Sequence, residues 1–339
     1  MDTIGVGIVG AGFVAGLHAE AFAARHQIPN AYGDYRSLLE RDDIQLITLA
    51  LPNYLHCQVT VDAAAAGKHV VCEKPMALNL AECDQMIAAC KAAGVKLMYA
   101  EELLFAPKYA RAKELVDEGG LGKVYLVKQG ESHSGPHSDW FWNVEFSGGG
   151  VLMDMGCHSI EFARWVYGKA RPVSVYAQLG TYVHAGRTRG EDQSVCIVEY
   201  EGGGIGVAEN SWARTGGVDD RAEIYGSEGL TVADLLRGSS LVTYSGPGYG
   251  YAMEKAPDTK GWTFTMFEET WNYGFPQEMQ HFARCVRDGL TPIETGEDGR
   301  QVMEILCAAY ESARLGQKVA LPFQSTARRP IDHWKPTVR

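Results

Sequence analysis

At 339 residues the chain is longer than a single hydrophobic core usually fills, so two domains are expected. Its 46% hydrophobic and 22% charged content is that of an ordinary soluble globular protein, and a net charge of −11 argues against nucleic acid or an anionic membrane surface as the main partner. No apolar run approaches the roughly 18 residues of a membrane span, Met1-Asp2-Thr3 lacks a basic signal-peptide start, and the eight cysteines have no Cys-x-x-Cys spacing, which suits buried thiols in a reducing cytoplasm.

Residues 4–9 read as a buried parallel strand, and Gly10-Ala11-Gly12-Phe13-Val14-Ala15 follows as a turn into a helix over 13–25. Strand, glycine turn and helix form the setting of a dinucleotide fingerprint. Gly10 permits the tight turn, Gly12 lets the backbone approach a pyrophosphate, and Ala15 keeps helix and strand close. The unpaired N–H groups of the helix start then face the phosphates. Gly10, Gly12, Phe13 and Val14 are therefore candidate cofactor contacts.

A second strand ending in an acidic residue is expected about 20 residues beyond the glycines. Counting lands on Asp34, but no apolar run precedes it, and Pro29 removes a donor where a central strand needs one. Asp34 reads instead as a turn residue or helix cap, and the second strand is missing. The alternation resumes with a strand over 44–51, a helix over 54–66 stopped by Gly67, a short strand over 69–72, a helix over 80–93 ending at Gly94, and a strand over 95–99. Such βα units imply a doubly wound parallel sheet with ligands at its carboxyl edge.

Two loops leave that edge. The first holds Pro52, Asn53 and His56; His56 suits either a helix start near the cofactor or simple packing. The second is Glu73-Lys74-Pro75. Pro75 biases Lys74 toward an extended backbone, and a lysine there is placed to donate to a substrate hydroxyl and stabilise charge developing on it.

At this point the chain resembles the glucose–fructose oxidoreductase / inositol dehydrogenase (Gfo/Idh/MocA) family. The resemblance rests on the glycine turn, on Leu51-Pro52-Asn53-Tyr54-Leu55-His56, on the run from Ala66 through Glu73-Lys74-Pro75, and on Gly148-Gly149-Gly150 leading into Asp154 and His158. It implies an α/β protein with a Rossmann domain over 1–103 and an α+β domain over 104–339. The second domain would carry an open, mostly antiparallel sheet that binds substrate and forms a homo-oligomer. It further implies NAD or NADP chemistry on sugars, polyols or related hydroxyl compounds. Relatives carry the second strand before a segment like residues 24–29. Deleting a core strand leaves costly unpaired edges, so we expect a further segment in the protein there; an intact mass of 37.0 kDa would rule it out.

Beyond the strand over 95–99, Glu102 stands where relatives often have Asn near the nicotinamide ribose; cofactor contact and surface linker are both open. A helix over 108–118 and a strand over 124–131 precede a loop with His133, His137, Trp140 and Trp142, whose aromatic faces suit a hydroxyl-rich substrate. Gly135-Pro136 breaks the helix that a His133–His137 metal pair would need, so no metal is expected. A helix over 154–167 places Asp154 and His158 on one face. There a carboxylate beside an imidazole favours its protonated form; His158 would exchange the hydroxyl proton, and Asp154 would hold substrate or orient His158. Period-two segments from Pro172 onward suit an antiparallel sheet, 246–250 a glycine-rich loop, and 277–287 and 297–314 helices, the latter capped by Thr295. His281 reads as core. The expected activity is hydride transfer at a secondary hydroxyl or ketone with Lys74, Asp154 and His158 as catalytic residues. A redox-neutral glycosidase with tightly held NAD and a non-catalytic dinucleotide sensor are the alternatives.

Overall fold

The computed structural model describes residues 3–22, 30–236, 241–245, 247, 258–265 and 269–335. Its N-terminal elements are β1 (Val6–Val9), α1 (Phe13–Phe22), α2 (Tyr35–Leu39), β2 (Leu46–Leu49), α3 (His56–Ala65), β3 (His69–Glu73), α4 (Leu80–Ala93) and β4 (Leu97–Ala100). The four strands form one parallel sheet in the order β1-β2-β3-β4. Leu46, Ile47, Leu49, Val70 and Val71 are fully buried, which is why β2 and β3 read as continuous apolar runs rather than alternating ones. The register aligns Val9, Leu49, Cys72 and Tyr99, so all four strands end on one edge.

Among the described residues nothing pairs with the outer edge of β1. Asp34 is a helix cap, its Oδ1 accepting from Arg36 N at 2.9 Å at the start of α2. The expected helix over 54–66 divides into a 3₁₀ turn, Asn53–Leu55, and α3.

The chain continues through α5 (Pro107–Asp117), β5 (Val124–Ser132), α6 (Val144–Ser147), α7 (Val151–Asp154), α8 (Gly156–Val166), β6 (Pro172–Gly180), β7 (Gln193–Tyr200), β8 (Ile205–Ser211), β9 (Asp219–Gly226) and β10 (Leu230–Asp234). Then come β11 (Leu241–Ser245), β12 (Gly261–Thr265), α9 (Glu269–Asn272), α10 (Phe275–Arg287), α11 (Gly296–Leu315), β13 (Val319–Ala320) and α12 (Ile331–Trp334). Seven strands form a mixed sheet, β10-β9-β5-β8-β7-β6-β13, whose one parallel pair is β5 with β8. Of the expected glycine-rich loop over 246–250, all but Pro247 lies outside the described residues.

Helix α8 is buried against β5 and β8. Helix α11 packs against α4, α8 and β6 and so ties the two sheets together. Its start is a capping box: Thr295 and Asp298 each satisfy the other's backbone N–H. All eight cysteines are buried and unpaired. No helix among the described residues is long and apolar enough to cross a membrane.

Candidate active site

A cleft of about 650 Å³ runs along the carboxyl edge of the first sheet and under the second. Gly10, Gly12, Phe13 and Val14 form one end, and Pro52 and Asn53 its middle. Glu73, Lys74 and Glu102 stand at the other end, opposite Asp154 and His158. His133, His137 and Trp140 line the substrate-loop wall.

Two expected contacts are elsewhere. His56 does not line the cleft: it is buried, with Nε2 2.9 Å from Leu51 O and Nδ1 3.2 Å from Pro75 O. It clamps the two loops together, and burial depresses its pKa. Trp142 lies in a neighbouring groove, beneath the Arg187 guanidinium and edge-on to Trp212. Phe13 instead stacks on His137, with ring centroids 4.2 Å apart, bridging the glycine turn and the substrate loop.

The catalytic end is built from both sheets. Lys74 follows β3, and its Nζ donates to Asp154 O at 3.0 Å and lies 3.4 Å from Asp154 Oδ1. Trp212 Nε1 donates to Asp154 Oδ2 at 3.0 Å. Burial alone would depress the lysine pKa and raise the aspartate's. The ion pair reverses both, holding Lys74 above and Asp154 below its ordinary value.

Asp154 and His158 do not lie on one continuous helix; α7 ends at Asp154 and α8 begins at Gly156. Nor does Asp154 orient the imidazole, since its oxygens serve Lys74 and Trp212. The partner of His158 is Glu101, whose Oε1 lies 2.5 Å from Nδ1. The imidazole is not held protonated either: burial, reinforced by the Lys74 charge, pushes its pKa down to about 4. Glu102 is buried rather than a surface linker; its Oε1 is 3.8 Å from His158 Nε2, and burial raises it to about 7.

Sequence reasoning missed Glu101, although the criterion that selected Lys74 applied to it: a polar residue directly after a buried strand. It also missed His18. From α1, that buried side chain spans Glu73 Oε1 at 2.8 Å and Thr48 Oγ1 at 2.6 Å, and so fixes the residue beside Lys74. Glu101, Glu102 and His158 bring ligating atoms within 4.8 Å of one another. However, the 2.5 Å Glu101–His158 contact is tighter than two ligands of one ion allow. The Lys74 charge also reaches both carboxylates.

A dinucleotide fits the other end. Gly10 has φ +120°, and a Cβ there would lie 2.1 Å from Ala50 O. A Cβ on Gly12 would meet nothing within 4 Å, so the backbone ahead of α1 faces open space. At the catalytic end Glu102 Oε2 is buried without a partner. A phosphate cradle joined to buried proton-handling groups is the architecture of a nicotinamide-dependent oxidoreductase.

Comparison with known proteins agrees. Residues 17–101 match the model described as "Oxidoreductase family, NAD-binding Rossmann fold", and 109–232 that of the "GFO/IDH/MocA C-terminal domain". The chain is 33% identical to D-xylose 1-dehydrogenase (NADP(+)) 2 of Haloferax volcanii, covering 89% of this chain and 88% of the relative. It is 28% identical to myo-inositol 2-dehydrogenase of Thermotoga maritima, covering 87% and 85%. Among solved structures, GenD2 from gentamicin A biosynthesis, in complex with NAD, superposes with a TM-score of 0.89 at 31% identity, covering 95% and 97%. The chain belongs to the Gfo/Idh/MocA oxidoreductase family.

Proposed function

We propose that the protein oxidises a secondary hydroxyl, or reduces the corresponding ketone, of a sugar, glycoside or inositol-like polyol, with NAD or NADP. The observation that carries this reading is the convergence of Lys74, from the loop after β3, and His158, from helix α8, on one end of the cleft. The relatives named as xylose and inositol dehydrogenases support the substrate class.

A dinucleotide held by its phosphates at the glycine turn would supply hydride chemistry from its nicotinamide at the other end of the cleft. Lys74, kept charged by Asp154, donates to the reacting oxygen and stabilises negative charge on it. The neutral His158 exchanges the hydroxyl proton at Nε2, the nitrogen not engaged by Glu101. His133, His137 and Trp140 hold the remaining hydroxyls. The buried, unpaired cysteines suit a reducing cytoplasm. Tyr125, Ile205, Leu230 and Val232, exposed on the second sheet, suit a homo-oligomer contact.

Sugars, inositols and glycosides assayed with NAD and NADP at the nicotinamide absorbance band test the reading. Steady cofactor reduction, lost in Lys74→Ala, is expected. Product formed without net absorbance change would instead establish redox-neutral chemistry.

A further inference from the structure

We propose that Glu101 is the proton partner of His158, so that the hydroxyl proton leaves the substrate through a two-step relay: substrate oxygen to His158 Nε2, and His158 Nδ1 to Glu101 Oε1. This rests on the reading of the cleft as a hydroxyl dehydrogenase.

The geometry comes first. Glu101 directly follows β4, whose Ala100 is in register with Glu73 on β3. It therefore leaves the sheet beside the lysine loop. His158 sits in the first turn of α8, in the other sheet unit. The Nδ1–Oε1 separation of 2.5 Å is among the shortest polar contacts of the site, and the two side chains are 2% and 0% exposed. Both side chains are closed off from bulk solvent, and Glu101 Oε1 is the group in contact with Nδ1, so a proton released there has Glu101 as its acceptor. Asp154 cannot take that part, because both its oxygens are engaged by Lys74 and Trp212.

The charge balance explains why a relay is needed. With His158 alone, accepting the hydroxyl proton creates an imidazolium in a buried site beside the Lys74 ammonium. Burial and that ammonium both oppose it. With the relay, the O–H bond breaks and Nε2–H forms while Nδ1–H breaks and the Glu101 O–H forms. The imidazole stays neutral, and the positive charge is absorbed by neutralising a carboxylate. The hydride leaves the same carbon for the nicotinamide, so the alcohol loses one hydride and one proton. Reduction runs the same transfers in reverse.

The surroundings favour a neutral Glu101. Burial raises its pKa well above the ordinary carboxylate range. Its Oε2 is buried without a partner, so a carboxylate there is poorly solvated. Lys74 favours the ionised form, whereas Glu73 and Glu161 oppose it. Glu278 on α10, Asp220 on β9, Tyr99 on β4 and Cys157 on α8 also face it electrostatically. Glu102, Asp154 and Glu73 act on His158 and lift it against burial. The pair thus holds its extra proton to higher pH than a free carboxylate. Oxidation needs the deprotonated pair and rises with pH through that point; reduction needs the protonated pair and falls.

Glu101→Gln keeps the shape and can still accept from Nδ1–H, but cannot take the proton. We expect kcat for oxidation to fall about 10²-fold with KM little changed. The rising limb of the pH profile should also move to lower pH, because only the depressed imidazole then titrates. Glu101→Asp should restore the limb and part of the rate. A Glu101→Gln enzyme within about threefold of the parent kcat and with an unmoved limb overturns the relay. If Lys74→Ala is equally silent, it is the dehydrogenase reading that has failed. Independently of turnover, 15N-histidine NMR of the cofactor-free protein should show a strongly deshielded proton on His158 Nδ1. Its absence from the parent protein across the pH range also overturns the proposal.

Discussion

The two ends of the cleft are built differently. At the catalytic end Lys74, Glu101, Glu102, Asp154 and His158 come from both domains; Lys74 is partly buried and the other four are buried. Lys74 Nζ, both Asp154 carboxylate oxygens and His158 Nδ1 each have a named neighbour there. At the nucleotide end the cradle is backbone: Gly10, Gly12 and the start of α1, on a strand whose outer edge has no partner among the described residues. In the proposed function the reacting atoms would be held by side chains that must sit at fixed distances, and the phosphates would be met by peptide dipoles that tolerate sequence change. Side-chain substitution is thus better absorbed at the second end than at the first.

If the catalytic end is so constrained, changes there dominate. Lys74→Ala removes the donor to the reacting oxygen and leaves Asp154 as an unpaired buried carboxylate. Turnover should fall by about 10³-fold, while cofactor titration by nucleotide fluorescence still shows binding. Loss of binding together with turnover would mean that the two ends are not separable. Asp154→Asn comes next, at about 10²-fold. It also carries a sign. The Asp154 carboxylate is what lifts Lys74 above its ordinary value against burial. Without it the ammonium loses its proton as pH rises through a lower point, and an alkaline decline absent from the parent should enter the measured range. A pH profile identical to the parent's would remove the ion pair from the argument.

The sequence disclosed the frame of this end but not its wiring. The buried apolar runs and their glycine stops gave the parallel sheet, and position at a strand's carboxyl end gave Lys74. Spacing brought Asp154 and His158 together but assigned the wrong partner, because periodicity assumed one helix where the chain breaks at Met155. Glu101 went unread beside Glu102, for which cofactor contact and surface linker were both open; it follows Ala100, which is in register with Glu73, and is buried. His18 and Trp212 stand in no sequence motif that would single them out. The parallel β5–β8 pair was equally illegible, since period-two alternation shows a strand's faces and not its partner.

A smaller change sharpens the same contrast. Trp212 is fully buried, and its indole N–H fixes Asp154 Oδ2. Trp212→Phe retains the aromatic packing but drops that hydrogen bond, worth about 1–3 kcal/mol when one partner is charged. We expect kcat to fall about tenfold, with the midpoint of thermal unfolding lowered by a few degrees. A stability loss without a kinetic one would make Trp212 a packing residue only.

The least effect is expected at the nucleotide end. In a dinucleotide fold the acid closing the second strand accepts from the adenosine ribose and repels a 2′-phosphate. Here the sequence between α1 and α2, residues 23–34, holds one acid, Asp34, whereas Arg25 is basic. Asp34, the first acid after α1, is committed to capping α2 and pairing with Arg36. The sequence as it stands leaves no carboxylate to enforce a choice, so for this 339-residue chain kcat/KM for NAD and NADP should agree within about tenfold at fixed ionic strength. Raising the salt concentration should weaken NADP more than NAD, because its extra phosphate is met by charge alone. A preference beyond about a hundredfold for either nucleotide would reveal a dedicated reader at that end, and the contrast between a side-chain site and a backbone site would fail there.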